Sequence, residues 1–294
     1  MTMTRRLRDL AFSGKAASAA TAYDGLTAKL VCEAGFDVVM SSGFQISASI
    51  GFPDMELYTM TENLNAARNI VRASSVPVIS DIDTGYGNAL NVMRSVREFE
   101  QAGVAGILLE DQVSPKRCPV LAVNELLPVD EAAGKVRAAA EARQDPDFVI
   151  IGRTDEQDVQ AACRRLKAFV AAGADMVFVT TRCAKSFEDL QALRQAAGRP
   201  LLLTMSGFVT ALDRAQLDQV GGVAAWGLET LLTATESVRR NLKAMKEAVG
   251  TPSWPCPVAE VASFKRLIGY AEFESLQDRY QGVLATADSM RGTR

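Results

Sequence analysis

The sequence predicts an α/β protein, a (β/α)8 TIM barrel with a C-terminal helical extension. Short apolar runs alternate with longer helical patterns from end to end, and eight such β/α units fit into roughly 250 residues. The residues that carry chemistry cluster at the C-terminal ends of the apolar runs, where a barrel keeps its site. A doubly wound open sheet is the competing architecture. It would carry a Gly-rich phosphate turn after the first strand, and none is present there.

Taken in order, residues 16–24 read as a first strand ending on Tyr23-Asp24, and 26–34 as a helix closed by Gly35. The second strand spans 36–43 and ends small and polar; Thr61 is expected to cap a helix running to Ala73. The third strand opens the stretch V-P-V-I-S-D-I-D-T-G-Y-G-N, residues 76–88, and its helix covers 90–102. Strands four to eight follow at 105–112, 147–155, 174–181, 200–206 and 222–227. The helices between them lie at 128–143, 159–172, 187–197 and 216–220, with the last barrel helix at 229–249. P-S-W-P-C-P at 252–257 then breaks the chain. The barrel is therefore expected over 1–250 and the extension over 251–294. The extension carries an amphipathic stripe that includes Phe264, Leu267, Ile268, Phe273 and Leu276, suited to a partner subunit or to its own barrel.

Composition narrows the function. A net charge of −3 with mixed signs offers no basic face for nucleic acid, and no apolar run is long enough to cross a bilayer. The N-terminus lacks the apolar segment of a signal peptide, and five scattered cysteines without a C-x-x-C pair suit a reducing cytoplasm. The chain has no histidine, which removes Ser-His-Asp and Cys-His catalysis and the usual zinc sites. Chemistry must then run on carboxylates, Lys, Tyr, Cys, Arg or a metal.

The third strand finishes on Asp81 and Asp83. Residues two apart on a strand share a face, so both carboxylates are expected to aim at one place. Two such anions require a cation or shared protons between them, and hard oxygen donors suit Mg2+, with Mn2+ as an alternative. Glu110 and Asp111 end the fourth strand and Arg153 the fifth. Arg153 can hold a carboxylate or phosphate through two N–H groups, and the backbone around Ser42, Gly43 and Phe44 can hold the same anion. The substrate this describes is a small 2-oxo or 2-hydroxy acid.

At these residues the chain resembles the isocitrate lyase/phosphoenolpyruvate mutase superfamily. The motifs are A-Y-D at 22–24, S-G at 42–43, G-F-P-D at 51–54, D-I-D-T-G-Y-G-N at 81–88, E-D-Q-V-S-P-K-R-C at 110–118 and R-T-D at 153–155. The branch with methylisocitrate lyase, dimethylmalate lyase and carboxyphosphonoenolpyruvate mutase looks nearest. The resemblance implies a metal shell of Asp81, Asp83 and Glu110, partly through water, and a substrate carboxylate held by Ser42, Gly43 and Arg153, with Asp54 at the same subsite. It implies a mobile loop in which Cys118 is the acid/base, with Lys116, Arg117 and Tyr23 as further candidate catalytic residues. It also implies a homotetramer, a dimer of dimers that exchanges its eighth helix between subunits.

The expected activity is a Mg2+-dependent lyase acting on a C–C bond next to a 2-oxo acid through a metal-bound enolate. Phosphonate chemistry (a phosphonomutase or a hydrolase), oxaloacetate decarboxylation and a non-catalytic acid-binding barrel are the alternatives. Departures from the lyase pattern bear on the choice. After Cys118 the chain has Pro119-Val120 in place of Gly-His, and Ala122-Val123-Asn124 in place of a Glu-Gly-Lys run. The sixth strand ends Thr180-Thr181 without the Glu of the lyases, and the seventh ends Thr204-Met205-Ser206-Gly207 where they carry Asn and Glu.

Overall fold

In the computed structural model, which describes residues 1–118 and 125–289, eight parallel strands close into a barrel in sequence order. The strands are β1 (Ala17–Ala22), β2 (Val38–Ser41), β3 (Val78–Asp81), β4 (Gly106–Glu110), β5 (Val149–Thr154), β6 (Met176–Val179), β7 (Leu201–Thr204) and β8 (Gly221–Trp226). Closure comes from β8 pairing back onto β1, Ala17 beside Val223 and Ala20 beside Trp226.

Alternation along each strand divides the core. Ala19, Met40, Ile79, Leu108, Ile151, Leu202 and Val223 fill the barrel interior, while Ile107, Leu109, Ile150, Val177 and Leu203 pack outward under the helices. The same two-residue period decides the chemistry. Asp81 follows Ile79, Glu110 follows Leu108 and Arg153 follows Ile151, so each inherits an interior position at the top of its strand. Register places Glu110 directly beside Arg153.

The helices explain where boundary expectations shift. Helix α1 (Met3–Ala11), absent from the sequence reading, is capped by Thr2, whose hydroxyl accepts from the Arg5 amide at 3.2 Å. It buries Leu7 against the interior residues Val38, Ile79, Val149 and Met176, closing the bottom of the barrel. Gly106 permits that fit: a Cβ there would stand 2.7 Å from the Val149 carbonyl oxygen and 3.1 Å from Leu7 Cδ2. Helix α2 (Gly25–Glu33) starts from an Asp24 cap. A short α3 (Gly43–Ser49), also not anticipated, begins from Ser42. Helix α4 (Met60–Ala73) is capped by Thr59 rather than by Thr61, because Thr59 forms a reciprocal capping box with Glu62.

Helices α5 (Ala89–Gln101), α6 (Val129–Ala142), α7 (Val159–Ala171), α8 (Phe187–Ala197) and α9 (Arg214–Val220) cover the barrel, with a 3₁₀ turn at Gly207–Ala211. Helix α10 spans Glu229–Glu247. The chain forms two compact units, Met1–Thr233 and Ala234–Arg294. In the second, the Asn241 amide bonds both backbone groups of Cys256 (3.1 and 3.0 Å), tying the proline-rich segment to α10. The single helix expected after it is instead α11 (Val261–Leu267) and α12 (Tyr270–Ser289), separated at Gly269, whose φ of +82° ends the first. Val238, Leu242, Met245, Phe264, Phe273 and Leu276 are exposed. No helix among the described residues is long and apolar enough to cross a membrane.

The plug gives the fold its first test. Leu7→Ala should lower unfolding free energy by about 2–5 kcal/mol in urea titration, because the cavity it leaves is walled by strands that cannot collapse inward. A loss under about 1 kcal/mol would show that α1 does not seal the barrel.

Candidate active site

Five carboxylates and two cations are buried together at the top of β2–β5. Asp54, Asp81, Asp83, Glu110 and Asp155 each keep under a tenth of their surface exposed, as do Lys116 and Arg153. The Lys116 ammonium forms ion pairs with Asp54 Oδ1 at 2.8 Å and with Asp83 Oδ1 at 2.7 Å. Arg153 Nη1 meets Glu110 Oε2 at 2.8 Å, while its Nε and Nη2 form a bidentate pair with Asp155, both at 3.0 Å. Two of the five guanidinium N–H groups remain for a ligand. The Arg153 plane also lies 5.4 Å from the centre of the Phe178 ring.

The arrangement differs from a strand presenting two acids on one face. Strand β3 ends at Asp81, and Asp83 sits in the following turn with φ +49°. It reaches the same place because its amide donates to Asp81 Oδ1 (3.1 Å) and its carbonyl accepts from the Glu110 amide (3.0 Å). Tyr58, fully buried, donates to Asp83 Oδ2 at 2.5 Å. Gly43 allows the acids to close in: a Cβ there would lie 2.7 Å from the Tyr58 hydroxyl and 2.9 Å from Asp83 Oδ1.

Charge imbalance shows in the acids. Burial, reinforced by Asp83 and opposed by Lys116 and Arg153, pushes the Asp81 carboxyl up to about 6. Burial likewise holds Glu110 well above the usual carboxylate range despite Arg153. Burial alone would lower Lys116, but Asp83, Glu110, Asp81 and Asp54 overcome it and hold the ammonium well above its ordinary value. Lys116 is thus a fixed cation for the carboxylates.

Asp54, Asp81, Lys116 and Arg153 of this cluster face a cavity of about 590 Å³. Ser42, Phe44, Asp54, Asp81, Lys116, Cys118 and Arg153 line it, so the structure gathers most of the residues expected from sequence around one space. Gly43, Asp83, Glu110, Tyr23 and Arg117 are not in the lining; Arg117 is exposed, and its amide donates to Gln112 Oε1 at 3.0 Å. Pro119, Val120 and Ala122–Asn124 lie outside the described residues. Tyr58, Glu56 and Gln112 were missed by sequence reasoning. Glu56, at φ +55°, accepts from the Thr84 hydroxyl (2.5 Å), the Ser114 hydroxyl (2.7 Å) and the Lys116 amide (3.0 Å). Gln112 donates to Asp155 behind Arg153. Only the acidic D-M-E-L-Y run after Pro53 hinted at Glu56 and Tyr58.

A divalent cation fits this donor set. Five carboxylates face two protein cations, every donor is a hard oxygen, and Glu110 Oε1 is buried with no hydrogen-bond partner. Among the described residues no three carboxylates converge as direct ligands, since Lys116 and Tyr58 hold Asp83 and Arg153 holds Glu110. Mg2+ tolerates that, because it keeps much of its water and needs few protein ligands.

A family model described as phosphoenolpyruvate phosphomutase matches residues 7–251. The 2,3-dimethylmalate lyase of Eubacterium barkeri is 35% identical over 95% of this chain and 99% of its own. A probable 2-methylisocitrate lyase of Corynebacterium glutamicum is 38% identical over 86% of this chain and 84% of its own. The crystal structure of a phosphonopyruvate hydrolase in complex with oxalate and Mg2+ superposes with a TM-score of 0.87 at 31% identity, covering 96% of this chain and all of that one.

Glu56 supplies a prediction here. Glu56→Ala removes three hydrogen bonds of roughly 1 kcal/mol each from the turn and loop beside the cavity. Tryptic cleavage at the Arg117–Cys118 bond, followed by mass spectrometry, should accelerate about tenfold or more. An unchanged rate would mean that other contacts hold the loop.

Proposed function

Because the chain belongs to the phosphoenolpyruvate phosphomutase family, we propose that it is a Mg2+-dependent lyase that breaks or forms a C–C bond adjacent to a 2-oxo acid. The observation that carries this reading is that Cys118 lines the same cavity as Asp81, Lys116 and Arg153. A proton donor and an anion-binding end thus share one space.

The roles follow from the geometry. The two free N–H groups of Arg153 receive the substrate carboxylate, and Asp155 and Glu110 fix the plane of the guanidinium so that those donors keep one direction. Asp81, Asp83 and Glu110 are the residues that would hold Mg2+. When bound, the cation supplies electrostatic stabilisation for negative charge developing on the acid's oxygen atoms. Lys116 keeps Asp54 and Asp83 neutralised and anchors the loop that carries Cys118. As the C–C bond breaks and the hydroxyl-bearing carbon becomes the oxo group, the electron pair left on the departing carbon takes the proton of the Cys118 thiol, and the proton released from the hydroxyl restores the thiol; bond formation runs in reverse. The exposed apolar side chains of α10, α11 and α12 support assembly with further copies of the chain, as a homotetramer.

P–C bond chemistry at the same end of the cavity is the second reading, favoured by the close superposition on phosphonopyruvate hydrolase. Assays for pyruvate or glyoxylate release from a panel of branched 2-hydroxy and 2-oxo acids, alongside phosphorus NMR on phosphonopyruvate, separate the two. Release only from the phosphonate would overturn the lyase reading.

Two substitutions sharpen the test. Asp81→Ala should abolish Mg2+-dependent turnover while circular dichroism remains that of a folded barrel. Cys118→Ser should lower kcat by about 10²–10⁴-fold, since a serine hydroxyl is a far weaker acid, with oxalate affinity unchanged. Normal turnover in Cys118→Ser would exclude the thiol as proton donor.

A further inference from the structure

The far end of the cavity lacks what a second acid group needs. Among the described residues Lys116 and Arg153 are the cations lining it, and both are engaged by carboxylates at the near end. Residues 119–124, P-V-L-A-V-N, carry no charge. The one ionisable side chain lining the far side is Glu229, next to Leu228 and Leu232, and it is an acid. A carboxylate or phosphonate placed there would lose its water without gaining a counter-ion, a cost of several kcal/mol by any transfer scale.

What the far end offers is apolar surface and hydroxyls. Phe178, Thr180, Thr181, Leu202, Thr204 and Ser206 form a wall shared with a second cavity of about 230 Å³. That chamber continues between β6 and β7 toward Ala184, Leu190, Phe208 and Val209. The two spaces meet at the strand ends where Thr180-Thr181 and Thr204–Ser206 replace the acidic and amide side chains of the lyase pattern. Among the described residues, the side chains shared by the two spaces are hydroxyl-bearing or apolar, and none of them is charged.

We propose that the substrate of this protein is a 2-oxo or 2-hydroxy acid with a single carboxylate, whose remainder is uncharged, mainly apolar, and seated in the chamber between β6 and β7. This rests on the reading of the Arg153 end as the carboxylate subsite. Thr181 and Ser206, at the junction of the two spaces, set the specificity.

Isothermal titration of the full-length protein in Mg2+ tests it with oxalate, 2-oxohexanoate, 2-oxooctanoate and 2-oxoadipate. Oxalate reports the shared end alone. 2-Oxohexanoate should bind about tenfold or more tightly than 2-oxoadipate, which has the same chain length with a terminal carboxylate. Extension to 2-oxooctanoate should gain about fourfold for each further methylene buried. Ser206→Trp should erase that chain-length gain while oxalate still binds. Thr181→Arg should shift the preference toward 2-oxoadipate. If oxalate binds and 2-oxoadipate matches or exceeds 2-oxohexanoate, the single-carboxylate assignment fails while the carboxylate subsite stands. If oxalate does not bind, both fail.

Discussion

Two buried cations facing five buried carboxylates is the constraint on which the rest of this structure depends. Lys116 and Arg153 cannot neutralise Asp54, Asp81, Asp83, Glu110 and Asp155 together, and burial raises the carboxyls of Asp81 and Glu110 despite those two cations. Such a cluster costs stability unless its charges are matched, so the surrounding chain is built to hold it. Tyr58 and the strained turn at Asp83 fix one side, while Gln112 and Asp155 fix the other. The same excess of hard carboxylate oxygens fits a divalent cation.

The barrel makes such a cluster possible. Strands buried on both faces supply rigid backbone, and their two-residue period carries Asp81, Glu110 and Arg153 inward on three consecutive strands. Helix α1 seals the opposite end with Leu7, leaving the C-terminal face as the open one. The charged groups therefore sit at strand ends, whereas the selectivity proposed above is assigned to the turns after β6 and β7, where side chains can change without disturbing the register. Retained acids at one end and hydroxyls with apolar walls at the other are two independent pieces of the same cavity.

Much of this was legible in the sequence because periodicity is a local signal. Seven of the eight strands fall within the expected runs and the eighth begins one residue early, at Gly221, while Phe187–Ala197 matches its helix residue for residue. Asp81, Glu110 and Arg153 were readable as charges at strand ends because an apolar run that finishes on charge stands out, whereas Cys118, in the loop after β4, was singled out only by the family resemblance. The misses have physical causes. Helix α1 has too little apolar surface to stand out and is stabilised by tertiary contact with the barrel floor. Asp83 was placed correctly for the wrong reason, since its direction comes from a positive φ that side-chain pattern cannot reveal. Glu56 and Tyr58 act through contacts 25 to 60 residues distant in sequence, with Asp83, Thr84, Ser114 and Lys116. The engagement of Lys116 by Asp54 and Asp83 depends on how the loop after β4 folds back, which composition does not encode.

A crystal structure of the protein grown with Mg2+ and oxalate tests the central claim most directly. The account predicts a cation with largely water ligands among Asp81, Asp83 and Glu110, and an oxalate carboxylate on the two free N–H groups of Arg153. An ion bound elsewhere, or oxalate seated away from Arg153 in an intact barrel, would contradict it.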